Sequence, residues 1–324
     1  MRVLVVGAGA IGQVFGLHFQ QGGAEVSFLV RPKYADDARK GFVMYRQNGA
    51  PYMPLRFQGF GVESDQDEAM KQDWDLVVLA LSSVALRSGD WLDRLGQSMG
   101  SANLLSLVPE MDGTQYLASR FPEGRVAWGM LSVVSFQAPL EGQPMPEPGV
   151  AFWFPPLSPL GFSGPDAVVN AFLPVLKRGS MPAKRVESVE AEVAIAGPIL
   201  DKIILSLECA GWKFDALRRD PELLGLAVQA IREAWVLADK VHGAKPPLPL
   251  RLLRPFMLRF ALWLAPKILP FDLEKFFDFH YHKVGEQTLM HMADQLAACK
   301  EHGVENPAMR ALASRVRKGR GCLD

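Results

Sequence analysis

Residues 3–16 read Val-Leu-Val-Val-Gly-Ala-Gly-Ala-Ile-Gly-Gln-Val-Phe-Gly, and their reading decides the fold. Arg2 to Val6 is a short valine-rich run, the composition of a strand buried on both faces of a parallel sheet. Ala10 to Gln21 then carries Ile11, Val14, Phe15 and Leu17 at helical spacing, and Gly22 and Gly23 end it. Between strand and helix, Gly7-Ala8-Gly9-Ala10-Ile11-Gly12 fits G-x-G-x-x-G in the context that gives the pattern meaning. Gly7 permits the tight turn, Gly9 leaves room for a pyrophosphate beside the main chain, and Gly12 allows helix and strand to pack closely. The helix N-terminus adds unpaired N–H groups and a partial positive charge. Gly7, Ala8, Gly9, Ala10, Ile11 and Gly12 are therefore candidate cofactor-binding residues. No Gly-Lys-Ser or Gly-Lys-Thr follows, which removes the Walker loop as an alternative.

Outward from this unit, Glu25 to Val30 reads as the second strand and completes a right-handed parallel crossover. A site for NAD or FAD usually places Asp or Glu at this strand's end to accept from the ribose hydroxyls. This chain places Arg31 there, and a guanidinium is the bidentate, permanently charged partner that a 2′-phosphate needs. The expected cofactor is NADP(H). Further buried strands are expected at Leu76–Leu81, Leu104–Val108 and Val126–Val134, with edge strands and loops between Pro139 and Pro165.

From about Val186 the strand-like runs stop and long apolar-periodic segments begin. Helices are expected from Pro198 to Gly211, from Pro221 to His242 with Asp220 as cap, from Gly285 to His302 closed by Gly303, and from the Asn306-Pro307 pair onward. The tail Arg315–Asp324 is expected to fray. The fold class is thus α/β, an N-terminal Rossmann-like doubly wound parallel sheet followed by an all-helical C-terminal domain. The expected boundaries are 1–185 for an NADP-binding domain and 186–324 for a helical substrate and dimerisation domain.

Composition agrees with an ordinary globular chain. Of 324 residues 49% are hydrophobic and 22% charged, and thirty-five Lys plus Arg balance thirty-five Asp plus Glu, so no net field draws the molecule onto nucleic acid or an anionic membrane. No nucleic-acid or membrane partner is expected. Cys209, Cys299 and Cys322 form an odd, widely spaced set that fits neither a disulfide framework nor a zinc site, and with no signal peptide this implies a reducing cytosol. Phe256–Phe271, the most membrane-like stretch, is interrupted by Arg259, Pro266 and Lys267 and reads as a buried or interfacial helix.

The opening VLVVGAGAIGQVFG, Arg31, DLVVLAL from Asp75 and the closing HGVENPAM together resemble ketopantoate reductase (2-dehydropantoate 2-reductase) and its superfamily. The resemblance implies an NADPH-dependent oxidoreductase that passes hydride to a small 2-keto acid, with a lysine of the helical half protonating the nascent alkoxide. That lysine maps to Lys202; the asparagines that follow it in the family are Ser206 and Ala210 here. A cofactor-contacting lysine falls on Ser82, an Asn-Gly pair falls on Pro109-Glu110, and the substrate-holding glutamate falls on Gln287 with Glu286 beside it. The implied catalytic set is Lys202, Ser206 and Glu286, and Ser82 joins the cofactor set. The departures point to a substrate other than ketopantoate, or to weak activity. The rival reading is a non-catalytic NADP(H)-binding sensor or scaffold, and a third is oxidation of an amine or hydroxy acid on the same architecture.

Other constellations carry less. His280 and His282 alternate around Tyr281 and cannot share a helix face, so no metal is expected. Cys209 reads as a small buried hydrophobe. The apolar segment Phe256, Leu258, Phe260, Leu262, Trp263 and Leu264 reads first as core, with a cover over the substrate cleft or a homodimer contact through the helical half as the alternatives.

Overall fold

The valine run forms a strand in the middle of a sheet. The computed structural model describes residues 1–107, 113–122, 124–283 and 285–321. Within them the strands are β1 (Arg2–Val6), β2 (Glu25–Leu29), β3 (Phe42–Arg46), β4 (Pro54–Phe57), β5 (Gly61–Glu63) and β6 (Leu76–Leu79), followed by β7 (Asn103–Ser106), β8 (Val126–Gly129), β9 (Val134–Ala138), β10 (Gly149–Trp153), β11 (Leu160–Ser163) and β12 (Ala183–Arg185). The larger sheet runs β12-β11-β8-β7-β6-β1-β2-β5. From β5 to β8 every pairing is parallel, with Val3 beside Val26 on one side and Leu76 on the other. Only the β8–β11 pairing is antiparallel. Read from β5, the parallel part follows the 3-2-1-4-5-6 order of a doubly wound dinucleotide fold, whose order reverses between β1 and β6.

Helix Ala10–Gln21 lies on one face and buries Val14, Phe15 and Phe19. Each fully buried side chain of this size contributes roughly 1.5–3 kcal/mol of transfer free energy. Gly16 sets how close that helix comes, because a Cβ there would lie 2.4 Å from the Phe28 ring.

A second sheet, β4-β3-β10-β9, was not anticipated in full. The expected single strand Val126–Val134 is two strands in different sheets. It breaks after Gly129, where a Cβ would stand 2.8 Å from Leu107 and 2.9 Å from Phe162, and the chain then crosses to become β9. His18 buries its ring edge-on against Phe152 and Phe154 on the β10 side.

Contacts divide the chain into two units, Met1–Val189 and Glu190–Asp324. The described part of the second unit is helical, with helices Val189–Cys209 (its first residue closing the other unit), Phe214–Arg219, Pro221–His242, Leu248–Arg251, Pro255–Ile268, Leu273–Lys283, Gly285–Glu301 and Pro307–Gly319. Asp220 caps its helix as expected, accepting from the Leu223 N–H at 2.8 Å, and Gly243 closes it at φ +62. Three expectations need correction. The helix expected to open at Pro198 opens at Val189 and holds Pro198 inside, because buried Val189 and Ala194 extend the apolar face upstream and outweigh the one backbone bond a proline removes. Asn306 does not cap the last helix; its Oδ1 accepts from Arg310, while the Glu233 carboxylate takes the Ala308 and Met309 N–H groups at 2.9 and 2.8 Å. The tail is helical to Gly319, and Arg320 donates to Glu208 at 2.7 Å; Cys322 and the residues after it lie outside the described residues.

Candidate active site

The glycine turn joins the end of β1 to helix Ala10–Gln21, at the point where the strand order reverses. Gly7 has φ +102, and a Cβ there would lie 2.7 Å from both the Ala80 carbonyl oxygen and the Leu81 side chain. Gly12 is tighter still, since its Cβ would lie 1.9 Å from the Gly7 carbonyl oxygen. Both are required by the protein itself. Gly9 differs: it is the N-cap residue, with φ −71, and a Cβ there meets nothing within 4 Å. Its exposed Cβ position is space that the fold leaves open beside the main chain. No side chain caps this helix and its first turn holds no acid, so the Ala10, Ile11 and Gly12 N–H groups and the positive end of the dipole face outward. Gln13 braces the turn by donating to the Ala8 carbonyl at 2.9 Å. A dinucleotide's pyrophosphate fits this donor set and the empty Cβ position.

Arg31 follows β2 as the exposed residue before the short turn Pro32–Tyr34. Its guanidinium lies over the Tyr34 ring at 5.0 Å and donates to the Tyr34 hydroxyl at 3.3 Å; the Lys33 ammonium lies over the same ring at 4.8 Å. Two cations on one aromatic ring at the strand's end form a compact anion-attracting group. Lys33 and Tyr34 escape a reading that stops at Arg31, although their adjacency is visible in the sequence. Ser82, the other expected cofactor residue, is exposed after β6 and caps helix Ser83–Leu86, its Oγ accepting from Ala85 N–H at 3.2 Å. Pro109-Glu110 lie outside the described residues.

In the second unit Lys202 sits on helix Val189–Cys209 and is only 2% exposed. Its ammonium donates to Gln295 Oε1 at 2.5 Å, and Gln295 Nε2 donates to Asp201 Oδ2 at 3.0 Å. This relay fixes the orientation of the Gln295 amide, because Asp201 can only accept from it. Burial lowers the Lys202 pKa from the ordinary lysine value, with the charges of Asp201, Cys299 and Glu233 opposing that shift. Ser206 is buried and donates back to the Lys202 carbonyl at 2.7 Å. Tyr281 stacks on Trp212 at 6.3 Å, and burial holds its phenol protonated well above the usual range. Gln295 carries no sequence signal, since it lies 93 residues from Lys202 on another helix. Glu286 and Gln287 fall in the first turn of helix Gly285–Glu301, with side chains outside the described residues.

The remaining candidates stay apart from chemistry. Cys209 is half-buried and burial pushes its thiol up to about 11, which makes it a poor nucleophile. Among the described residues no cluster of His, Cys, Asp or Glu could hold a metal ion, and the His280 ring stacks on Phe276 at 5.3 Å. Gly96-Gln97-Ser98-Met99-Gly100 spells G-x-S-x-G, but it closes helix Trp91–Ser98 instead of turning from strand to helix, and Ser98 Oγ donates to the Arg94 carbonyl.

Residues 3–139 match the family model described as Ketopantoate reductase PanE/ApbA. No curated protein matches the sequence. Among solved structures, a PanE/ApbA family ketopantoate reductase from Ralstonia eutropha JMP134 superposes with a TM-score of 0.75 at 17% identity, covering 99% of both chains. A 2-dehydropantoate 2-reductase from Methylococcus capsulatus gives 0.74 at 15% identity, over 100% of this chain and 99% of that one. D-mandelate dehydrogenase in complex with NADH gives 0.69 at 13% identity, over the whole of both chains. At these identities the likeness is one of fold.

Proposed function

We propose that the chain, whose residues 3–139 match the ketopantoate reductase family model, is an NADPH-dependent oxidoreductase of that kind that reduces a small 2-keto acid. The observation that carries this reading is the open Cβ position of Gly9 beside an uncapped helix N-terminus that follows a buried strand, an arrangement that leaves room and N–H donors for a phosphate. Arg31, backed by Lys33 and Tyr34, supports the phosphorylated cofactor over NADH, although the mandelate dehydrogenase of the same fold was solved with NADH.

A nicotinamide cofactor held by the glycine turn at residues 7–12 and by Arg31 would supply the hydride for the carbonyl carbon. The chain supplies the proton for the oxygen: Lys202 gives up one N–H proton and becomes a neutral amine as the alkoxide becomes a hydroxyl. Burial favours that loss, since it disfavours the charged form, while the Gln295 carbonyl oxygen holds the ammonium in one orientation and retains it until it is needed. Ser206 braces the helix backbone beneath the lysine. Glu286, one residue from the Gln287 position that the resemblance gives for a substrate-holding glutamate, is proposed to help hold the substrate.

The test is loss of the NADPH absorbance across a panel of 2-keto acids. Turnover by the natural chain with less than about 1% remaining in Lys202→Ala supports the assignment, on the scale typical of a lost general acid; undiminished turnover in that variant refutes it. The near-complete burial of Lys202 favours a second reading, a nucleotide-binding sensor. It is the outcome if NADPH binds and no substrate is turned over.

A further inference from the structure

The segment expected as core is not core. On helix Pro255–Ile268 Leu258 and Leu262 are buried, but Phe256 is 69% exposed, Phe260 58% and Trp263 42%. With Lys267 these residues recur at successive turns and form one outward stripe. The Phe260 and Trp263 rings meet at 5.5 Å, and the Lys267 ammonium lies over the Trp263 ring at 3.5 Å. Leu248 and Leu252, a few residues upstream along the chain, are exposed as well. The charge here has one sign: between Asp239 and Asp272 the sequence contains no Asp or Glu, while Arg251, Arg254, Arg259 and Lys267 punctuate the segment.

We propose that this face seats the protein on an anionic lipid surface, with Phe256, Phe260 and Trp263 in the headgroup boundary and the surrounding Arg and Lys on lipid phosphates. Among the described residues no helix is long and apolar enough to cross a bilayer, so the attachment is peripheral. Exposed aromatics on a helix whose own charged side chains are all cations are the signature of a helix lying in an interface. Tryptophan and lysine suit that depth, one end of each being apolar and the other polar. The balanced charge of the whole chain, from which no membrane partner is expected, does not bear on a local patch whose field falls off within a Debye length. A second copy of the chain is the poorer occupant, because a two-fold contact through this face would set its cations against their own copies.

The test is co-sedimentation of the full chain with vesicles of phosphatidylglycerol mixed into phosphatidylcholine, against pure phosphatidylcholine. The natural chain is expected on the anionic vesicles and not on the neutral ones. Substituting F256S/F260S/W263S should abolish binding, and R259Q/K267Q should weaken it about tenfold or more, each basic residue near an anionic surface being worth roughly fivefold. These side chains are solvent-facing, so an unchanged thermal unfolding curve confirms that the variants fold. Absence of the natural chain from anionic vesicles overturns the proposal, as does binding that the aromatic variant leaves intact. It is also overturned by a concentration-dependent dimer that the same variant dissociates, which would assign the face to a second copy.

Discussion

Gly9 and its neighbours separate what the fold needs from what a ligand needs. Gly9→Ala adds a methyl group into open space at a favourable φ, so stability should shift by no more than about 0.5 kcal/mol, while NADPH affinity should fall at least tenfold as the methyl meets the pyrophosphate. Gly7→Ala has the opposite character: with φ +102 and a carbonyl at 2.7 Å it should cost roughly 1–3 kcal/mol, read in denaturant melts without ligand. Arg31→Ala should weaken NADPH about tenfold to a hundredfold and leave NADH unchanged, since a charge-assisted, bidentate guanidinium–phosphate pair is worth about 1.5–3 kcal/mol and NADH lacks the phosphate. At Lys202, Gln295→Leu removes the acceptor that favours the ammonium, so the alkaline limb of the kcat profile should move to lower pH; Gln295→Glu should move it to higher pH. His18 gives a readout independent of function. Burial holds its pKa down to about 4 against an ordinary 6.5, so across that window the unfolded chain takes up a proton the native ring refuses. Stability should therefore be full above about pH 6.5 and fall by about 3 kcal/mol as pH drops toward 4, and His18→Leu should flatten the slope.

Elements were legible where local chemistry determines them. The strand–glycine–helix opening and the Asp220-Pro221 helix start rest on residues within a few positions of one another. The second sheet was not, because β3 and β10 pair across more than a hundred residues, and the proline-dense stretch that holds β10 reads as edge strands and loops although β10 pairs on both sides. The last helix shows the same limit. Its Asn306-Pro307 signal located the start correctly, yet the cap comes from Glu233 on helix Pro221–His242, 75 residues earlier. Glu233→Ala should therefore cost about 1–2 kcal/mol by stranding two N–H groups, and Asn306→Ala should not cost the helix a cap; thermal melts of the two variants compare them.

At the scale of the molecule, the strand–glycine–helix turn was legible in full and the lysine cluster only as one residue. The glycine turn is written in consecutive letters, whereas Asp201, Lys202 and Gln295 come together through the packing of two helices that no spacing rule links. The exposed aromatic face was misread for a related reason: apolar periodicity tells which side of a helix is apolar but not what covers it. The measurement that bears most directly on the account is calorimetric titration of the full chain with NADPH, run beside Gly9→Ala. The account predicts one molecule bound per chain and at least tenfold weaker binding to the equally stable variant. A natural chain that releases no heat and shows no thermal stabilisation at saturating NADPH, or a variant that binds as well as the natural chain, would contradict it.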